Sequence, residues 1–220
     1  MENFELLPVK TRILTHRDDI IKVIESYVNG KLTDQDVICV AESVVAITQN
    51  RIVRPQQIKP GFLARTMCYF VPQKGSLSSC YGMQAAMNME GEWRFFFAML
   101  CGMVAKLLGK SGVFYDLAGP QAALIDDVTG TMPPYDKHIV YGPSNANQLA
   151  EELKKRLGCF GAVVADVNDL KRSLIVGAST GVDKDKVAYM LLHNPFGNAS
   201  QKTPIVVIKN YLGAVEKQVG

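Results

Sequence analysis

Residues 160–179, FGAVVADVNDLKRSLIVGAS, crowd carboxylate, amide and guanidinium groups into one short stretch. The apolar run over 160–165 reads as a buried strand. It ends at Asp166, and Asn168, Asp169, Lys171 and Arg172 follow within six residues before a second apolar strand over 173–178. Ionic groups at the end of buried strands have a rigid base beside a low-dielectric interior, where they can hold a metal or a phosphate. The alternative is a solvated hairpin turn. A second acidic position, Asp126-Asp127, follows the apolar run 122–125, and its alternative is a surface turn. If Asp126 and Asp166 converge, the carboxylates repel each other unless a proton or cation lies between them. Such a cation could bridge nucleotide phosphates and neutralise charge during phosphoryl transfer. His16, His138 and His193 are isolated in sequence, so a metal would be held by oxygen, which suits Mg2+ or Mn2+ better than zinc.

Other chemistries find no support. Gly109-Lys110-Ser111 imitates the end of a P-loop, but the first glycine of that motif would be Val104, and the helix precedes the loop instead of following it. No GxGxxG, HExxH or GxSxG is present. A net charge of +3 in 220 residues leaves no nucleic-acid footprint. The longest uncharged apolar run, residues 95–105, is too short to span a bilayer. It reads as a core helix, with a partner interface as the alternative. Five scattered cysteines without a CxxC pair fit reduced thiols. The opening MENFELLPVKTRIL lacks a signal-peptide pattern. A cytoplasmic protein with no nucleic-acid or membrane partner is the expectation.

The elements that must position these groups alternate. Strands are expected over 6–14, 36–41, 113–117, 138–141, 160–165, 173–178, 186–192 and 204–209. Helices are expected over 18–28, 60–70, 80–108 with a break near Gly91, and 144–157, with Gly158 as a stop. Residues 42–48 suit either state. Interleaving of this kind predicts a mixed α/β fold. It is read as one unit over 1–220, with a change of pattern near 109–112 that makes no clear boundary.

Several of these segments together resemble the coenzyme F420-0:γ-glutamyl ligase family. LPVK at residues 7–10 is similar to the family's opening. DQDVICVAESVVAITQNRIV at 34–53 is similar to its strand-turn block, and Ile125-Asp126-Asp127 to its Gly-Ile-Asp metal segment. Residues 143–157 resemble its Pro-containing helix, and 165–179 its Asp-Thr…Arg…Gly…Ala block. The resemblance implies an α/β ligase that forms homodimers and uses GTP with Mg2+ or Mn2+. A small carboxylate acceptor would be phosphorylated and then attacked by the amine of an amino acid, glutamate in the family. It also implies Asp126 and Asp166 as metal ligands, and Leu7, Pro8, Val9, Lys10, Ser43, Arg51, Lys171 and Arg172 as the nucleotide-binding set.

The departures are specific. Ser43 stands where the family has a lysine, Ala46 where it has a serine, and Gln49-Asn50-Arg51 where it has Glu-Gly-Arg. Val167 replaces the hydroxyl residue after the second metal aspartate, Thr129 stands in the region of an asparagine, and residues 181–203 carry no Asp-Tyr-Arg-Gly segment. The alternative on the same scaffold is a non-catalytic small-ligand-binding or regulatory protein.

Overall fold

The computed structural model describes residues 4–72, 75–125, 133–169, 171–197 and 201–216. The chain opens with β1 (Glu5–Val9), α1 (Ile20–Val28), β2 (Val37–Ala41) and α2 (Glu42–Thr48). A middle stretch follows: β3 (Ile52–Val53), α3 (Phe62–Met67), α4 (Cys80–Glu90), α5 (Glu92–Leu107), α6 (Val113–Ala118), α7 (Pro120–Leu124) and β4 (Ile139–Val140). The last stretch holds α8 (Ala146–Leu157), β5 (Gly161–Asn168), β6 (Arg172–Ala178), α9 (Lys184–Met190), β7 (Ile205–Lys209) and α10 (Tyr211–Glu216). The fold is mixed α/β. Two compact units form, one from residues 1–50 with 143–220 and the other from 51–142. No helix among the described residues is long and apolar enough to cross a membrane.

The first unit is built on a five-stranded sheet in the order β1-β7-β2-β5-β6. Only β2 and β5 run parallel, and every other pair is antiparallel. Strand alternation divides the side chains between two cores. Ile38, Val40, Ala162, Val164 and Val207 pack with α1 and α8 on one face. Val37, Cys39, Val163, Ala165 and Ile208 pack with Val187, Met190 and Tyr211 on the other. α1 starts where the Asp19 carboxylate accepts from the N–H groups of Ile21 and Lys22, and it buries Ile20, Ile24 and Val28 at helical spacing. α8 buries Ala146, Ala150 and Leu153 and stops at Gly158, whose φ of 63° is left-handed.

Small residues set how closely β6 approaches α8. A methyl group added to Gly177 would lie 2.4 Å from the carbonyl carbon of Ala146, a backbone atom that cannot rotate away. Gly177→Ala is expected to cost about 1–3 kcal/mol through overpacking, read as a fall of roughly 3–10 °C in melting temperature at this chain length.

Two expected strands are helices. Residues 184–190 form α9 because Asp183 accepts from the N–H groups of Asp185 and Lys186, and Val187 and Met190 then face the core three residues apart. Residues 113–118 form α6, which packs in the second unit where Gly102 leaves room for Phe114 and the Phe114 ring meets Phe95 edge-on at 5.8 Å. Residues 42–48 form a helix.

The second unit is a cluster of α3 to α7 with the β3–β4 ribbon. Its core holds Met83, Ala85, Ala86, Met87, Phe95 and Ile139, all nearly inaccessible to solvent. The helix pair α4 and α5 breaks at Gly91, whose φ of 99° only glycine adopts readily.

Candidate cation and phosphate site

The register across the first unit's sheet gathers the chain's ionic candidates at one end. Val9 pairs with Ile205, Val40 with Ile205, and Ala41 with Ala165. Lys10 after β1 is therefore level with Ala41 and Ala165, and Glu42 after β2 and Asp166 on β5 lie one residue further on at the same end of the sheet. Neighbouring strands lie about 4.8 Å apart, so three strand spacings set Lys10 roughly 14 Å from Asp166. That is too far for a direct ion pair and within the reach of an extended anion spanning both.

Asp166 does not sit in the turn. β5 continues through it to Asn168, and Asp166 pairs with Leu174 and Asn168 with Arg172. Alternation turns Asp166 to the same sheet face as Ala162 and Val164, where it is half-buried. Burial pushes its carboxyl above the usual range, and the positive charge of Arg172 opposes that shift. Arg172 is exposed, and its backbone N–H donates to Asn168 Oδ1 at 3.3 Å. Lys171, exposed with φ 60°, provides the left-handed residue that closes the short hairpin. On the opposite face, Ser173 pairs with Val167, and its buried hydroxyl oxygen has no hydrogen-bond partner among the described residues.

Glu42 is the residue that sequence reasoning did not single out. It begins α2 directly after Ala41, which pairs with Ala165, so the backbone carries it alongside Asp166, and its side chain is buried. A carboxylate placed just after an apolar strand, DVICVA, was the available signal, the same signal that marks Asp166. Ser43 is half-buried in the next position.

The other expected residues divide. Leu7 and Val9 turn into the core, and Pro8 is exposed on β1, an edge strand. Any contact by Leu7 or Val9 would therefore be through backbone. Arg51 lies in the second unit, where its guanidinium donates to the Gly142 carbonyl and sits over the Tyr141 ring. Asp126 and Asp127 fall outside the described residues, as does Thr129. Among the described residues, no group of three or more His, Cys, Asp or Glu side chains gathers in a metal-binding arrangement. A Mg2+ ion asks for less, because it is commonly held by one or two carboxylates with phosphate and water completing the shell. Asp166 fits that demand, since a divalent cation would offset the desolvation that now disfavours its charge.

Residues 8–92 match the family model of F420-0:Gamma-glutamyl ligase. The chain carries an F420-0:γ-glutamyl ligase-like segment. No curated protein matches it. The ligase-like segment runs from β1 to the start of α5 and includes Lys10, Glu42, Ser43 and Arg51. Asp166, Lys171 and Arg172 lie beyond it and join Lys10 and Glu42 only through the sheet. Within the segment, Asn50 takes φ 56° just after α2. Asparagine is among the few non-glycine residues that tolerate this conformation, so it can close the turn that ends the helix. Gln49 ties the same turn to the start of the α8 segment, donating to the Ser144 carbonyl at 3.0 Å and accepting from the Ser144 N–H at 2.8 Å.

Proposed function

We propose that the chain is a divergent amide ligase of the γ-glutamyl type, using GTP with Mg2+ or Mn2+ to activate a small carboxylate acceptor for attack by an amino-acid amine. The observation that carries this reading is the half-buried Asp166 on β5, one strand from Glu42 and at the same end of the sheet as Lys10, in a chain whose residues 8–92 are ligase-like. Asp166 would hold the cation, with Glu42 beside it and Asp126 as the further ligand expected from the family. A bound cation would neutralise phosphate charge as the phosphoryl group moves. Lys10 on one side and Lys171 and Arg172 on the other would draw the polyphosphate across the sheet end. Their positive charge would take over part of the work of the lysine that Ser43 replaces.

Ser43 also favours a second reading. With no ammonium at that position, and with Val167 packed into the core instead of offering a hydroxyl, the site can bind an anion without turning it over. Incubation with GTP, Mn2+, L-glutamate and a panel of small carboxylic acids separates the two. Release of inorganic phosphate in step with amide product, followed by mass spectrometry, is the expected outcome. Nucleotide binding without phosphate release gives the binding-protein reading, and no binding at all removes both.

A further inference from the structure

The end of α5 carries large apolar side chains away from the core of the second unit. Phe95, Ala98 and Met99 are the buried residues of the helix, and no residue from 100 to 117 is buried. Within that stretch Leu100, Met103, Val104, Leu107 and Leu108 are 40%, 42%, 57%, 88% and 74% exposed. Leu107 and Leu108 form the corner between α5 and α6, with Lys106 before them and Lys110 just after. The backbone of this corner closes on itself. The N–H groups of Leu108, Gly109 and Lys110 donate to the carbonyls of Val104, Lys106 and Ala105 at 3.2, 3.1 and 2.8 Å. Gly109 permits the closure by taking φ 78°. From Trp93 to Tyr115 the chain holds Arg94, Lys106 and Lys110 and no carboxylate. Arg94 pairs with Glu90, and the two lysines provide the charge at the corner itself.

We propose that this corner is a membrane-docking tip, which inserts Leu107 and Leu108 into the surface of an anionic bilayer. Three observations select a lipid surface. The first is charge: a corner with two lysines and no nearby carboxylate in sequence is drawn to negative headgroups. The long lysine stems let the ammonium groups stay at headgroup level while the leucines go deeper. The second is the closed backbone. Its internal hydrogen bonds leave fewer polar groups to be stripped of water, the main cost of placing a turn in an apolar layer. The third is the spread of the side chains. Leu107 and Leu108 are successive residues, about 100° apart around the helix, so they do not line up as the single stripe that a protein groove accepts. A fluid lipid layer covers both. Docking of this kind needs no spanning helix, and among the described residues none is long and apolar enough to cross a membrane.

Sedimentation of the full chain with phosphatidylcholine vesicles containing about one-third phosphatidylglycerol tests the proposal. The wild type is expected to pellet with these vesicles and to stay in solution with phosphatidylcholine alone. Leu107→Asp together with Leu108→Asp is expected to weaken the binding on the order of 100-fold. Lys106→Gln together with Lys110→Gln is expected to weaken it roughly 10-fold. All four side chains are exposed, so both variants are expected to keep the wild-type circular dichroism spectrum. Trp93 is the single tryptophan, so Trp93→Phe with Leu108→Trp places one fluorophore at the tip. Its emission is expected to shift to the blue on the anionic vesicles and to be quenched by lipids brominated along the chain. A wild type that does not pellet overturns the proposal, and so does pelleting that the leucine variant leaves intact. Equal pelleting on phosphatidylcholine alone overturns the choice of an anionic surface. A tip fluorophore that is not quenched overturns insertion. A lower sedimenting mass of the leucine variant without lipid overturns the proposal as well, because those leucines are then covered by a protein.

Discussion

Asp166→Asn is expected to raise the melting temperature of the ligand-free protein at neutral pH and to abolish the further rise that the proposed function predicts with GTP and Mn2+. The first effect follows from desolvation, which lifts the folded-state carboxyl above its ordinary 3.8. Between 3.8 and the raised value, the folded chain keeps a proton that the unfolded chain has released. Stability therefore falls as pH rises through that window, and the cost persists above it. An amide at position 166 removes this cost, so the variant and the wild type should converge at pH below the window and separate above it. The second effect follows from mass action. A ligand at one hundred times its dissociation constant stabilises the native state by about 2.7 kcal/mol, roughly 5–10 °C for a chain of this length. Thermal denaturation across pH, with and without GTP and Mn2+, measures both. An unaltered ligand-induced rise in the variant removes Asp166 from cation binding.

Asp36→Ala is expected to cause the largest loss of stability in the first unit, about 3–5 kcal/mol, by leaving a buried ion pair half-made. Asp36 is buried at the start of β2, at the end of the sheet away from Asp166. Its carboxylate accepts from the Lys209 ammonium, from the Asn210 N–H at 2.9 Å and from the Thr33 N–H at 2.8 Å. Its own carbonyl accepts from the Phe160 N–H at 3.0 Å, so it joins the approach to β2, the approach to β5 and the end of β7. Burial works against the charge, but the Lys209, Asn210 and Thr33 hydrogen bonds outweigh it and hold the carboxyl below its ordinary range. The stabilisation is thus present above the ordinary carboxylate pKa and is lost as pH falls through the depressed folded value. Urea denaturation at neutral pH is expected to show the full loss, and the gap between variant and wild type to narrow in acid. Because the residue lies at the far end of the sheet, the rise with GTP and Mn2+ should survive in whatever variant protein remains folded.

These two aspartates show how far sequence reading carries. Asp36 and Asp166 are both single carboxylates flanking an apolar strand, and pattern alone does not separate them. The register separates them: Asp36 meets a lysine and two backbone donors, whereas Asp166 faces a half-buried space with one exposed arginine nearby. Glu42 carries the same local signal, a carboxylate directly after an apolar strand, but its position beside Asp166 comes from the pairing of Ala41 with Ala165, more than a hundred residues apart. The strand expected over 186–192 failed for a different reason. The short apolar run over 187–192 suits a buried strand or a helix, and the Asp183 cap decides between them by satisfying N–H groups that only a helix leaves open.

What the residues determined unaided is local. Apolar runs made β2, β5, β6 and β7; Asp19 and Gly158 bounded α1 and α8; Gly91 split the long apolar helix; and residues 8–92 carried a legible ligase-like pattern. Tertiary structure decided what those elements do together. Sheet order brought Lys10, Glu42 and Asp166 to one end of the sheet, and packing chose which side of α5 became core and which became surface. Periodicity specifies only that a face is apolar. The partner that covers it, and the strand that lies beside a given carboxylate, are set by long-range contacts whose energies no local stretch of chain contains.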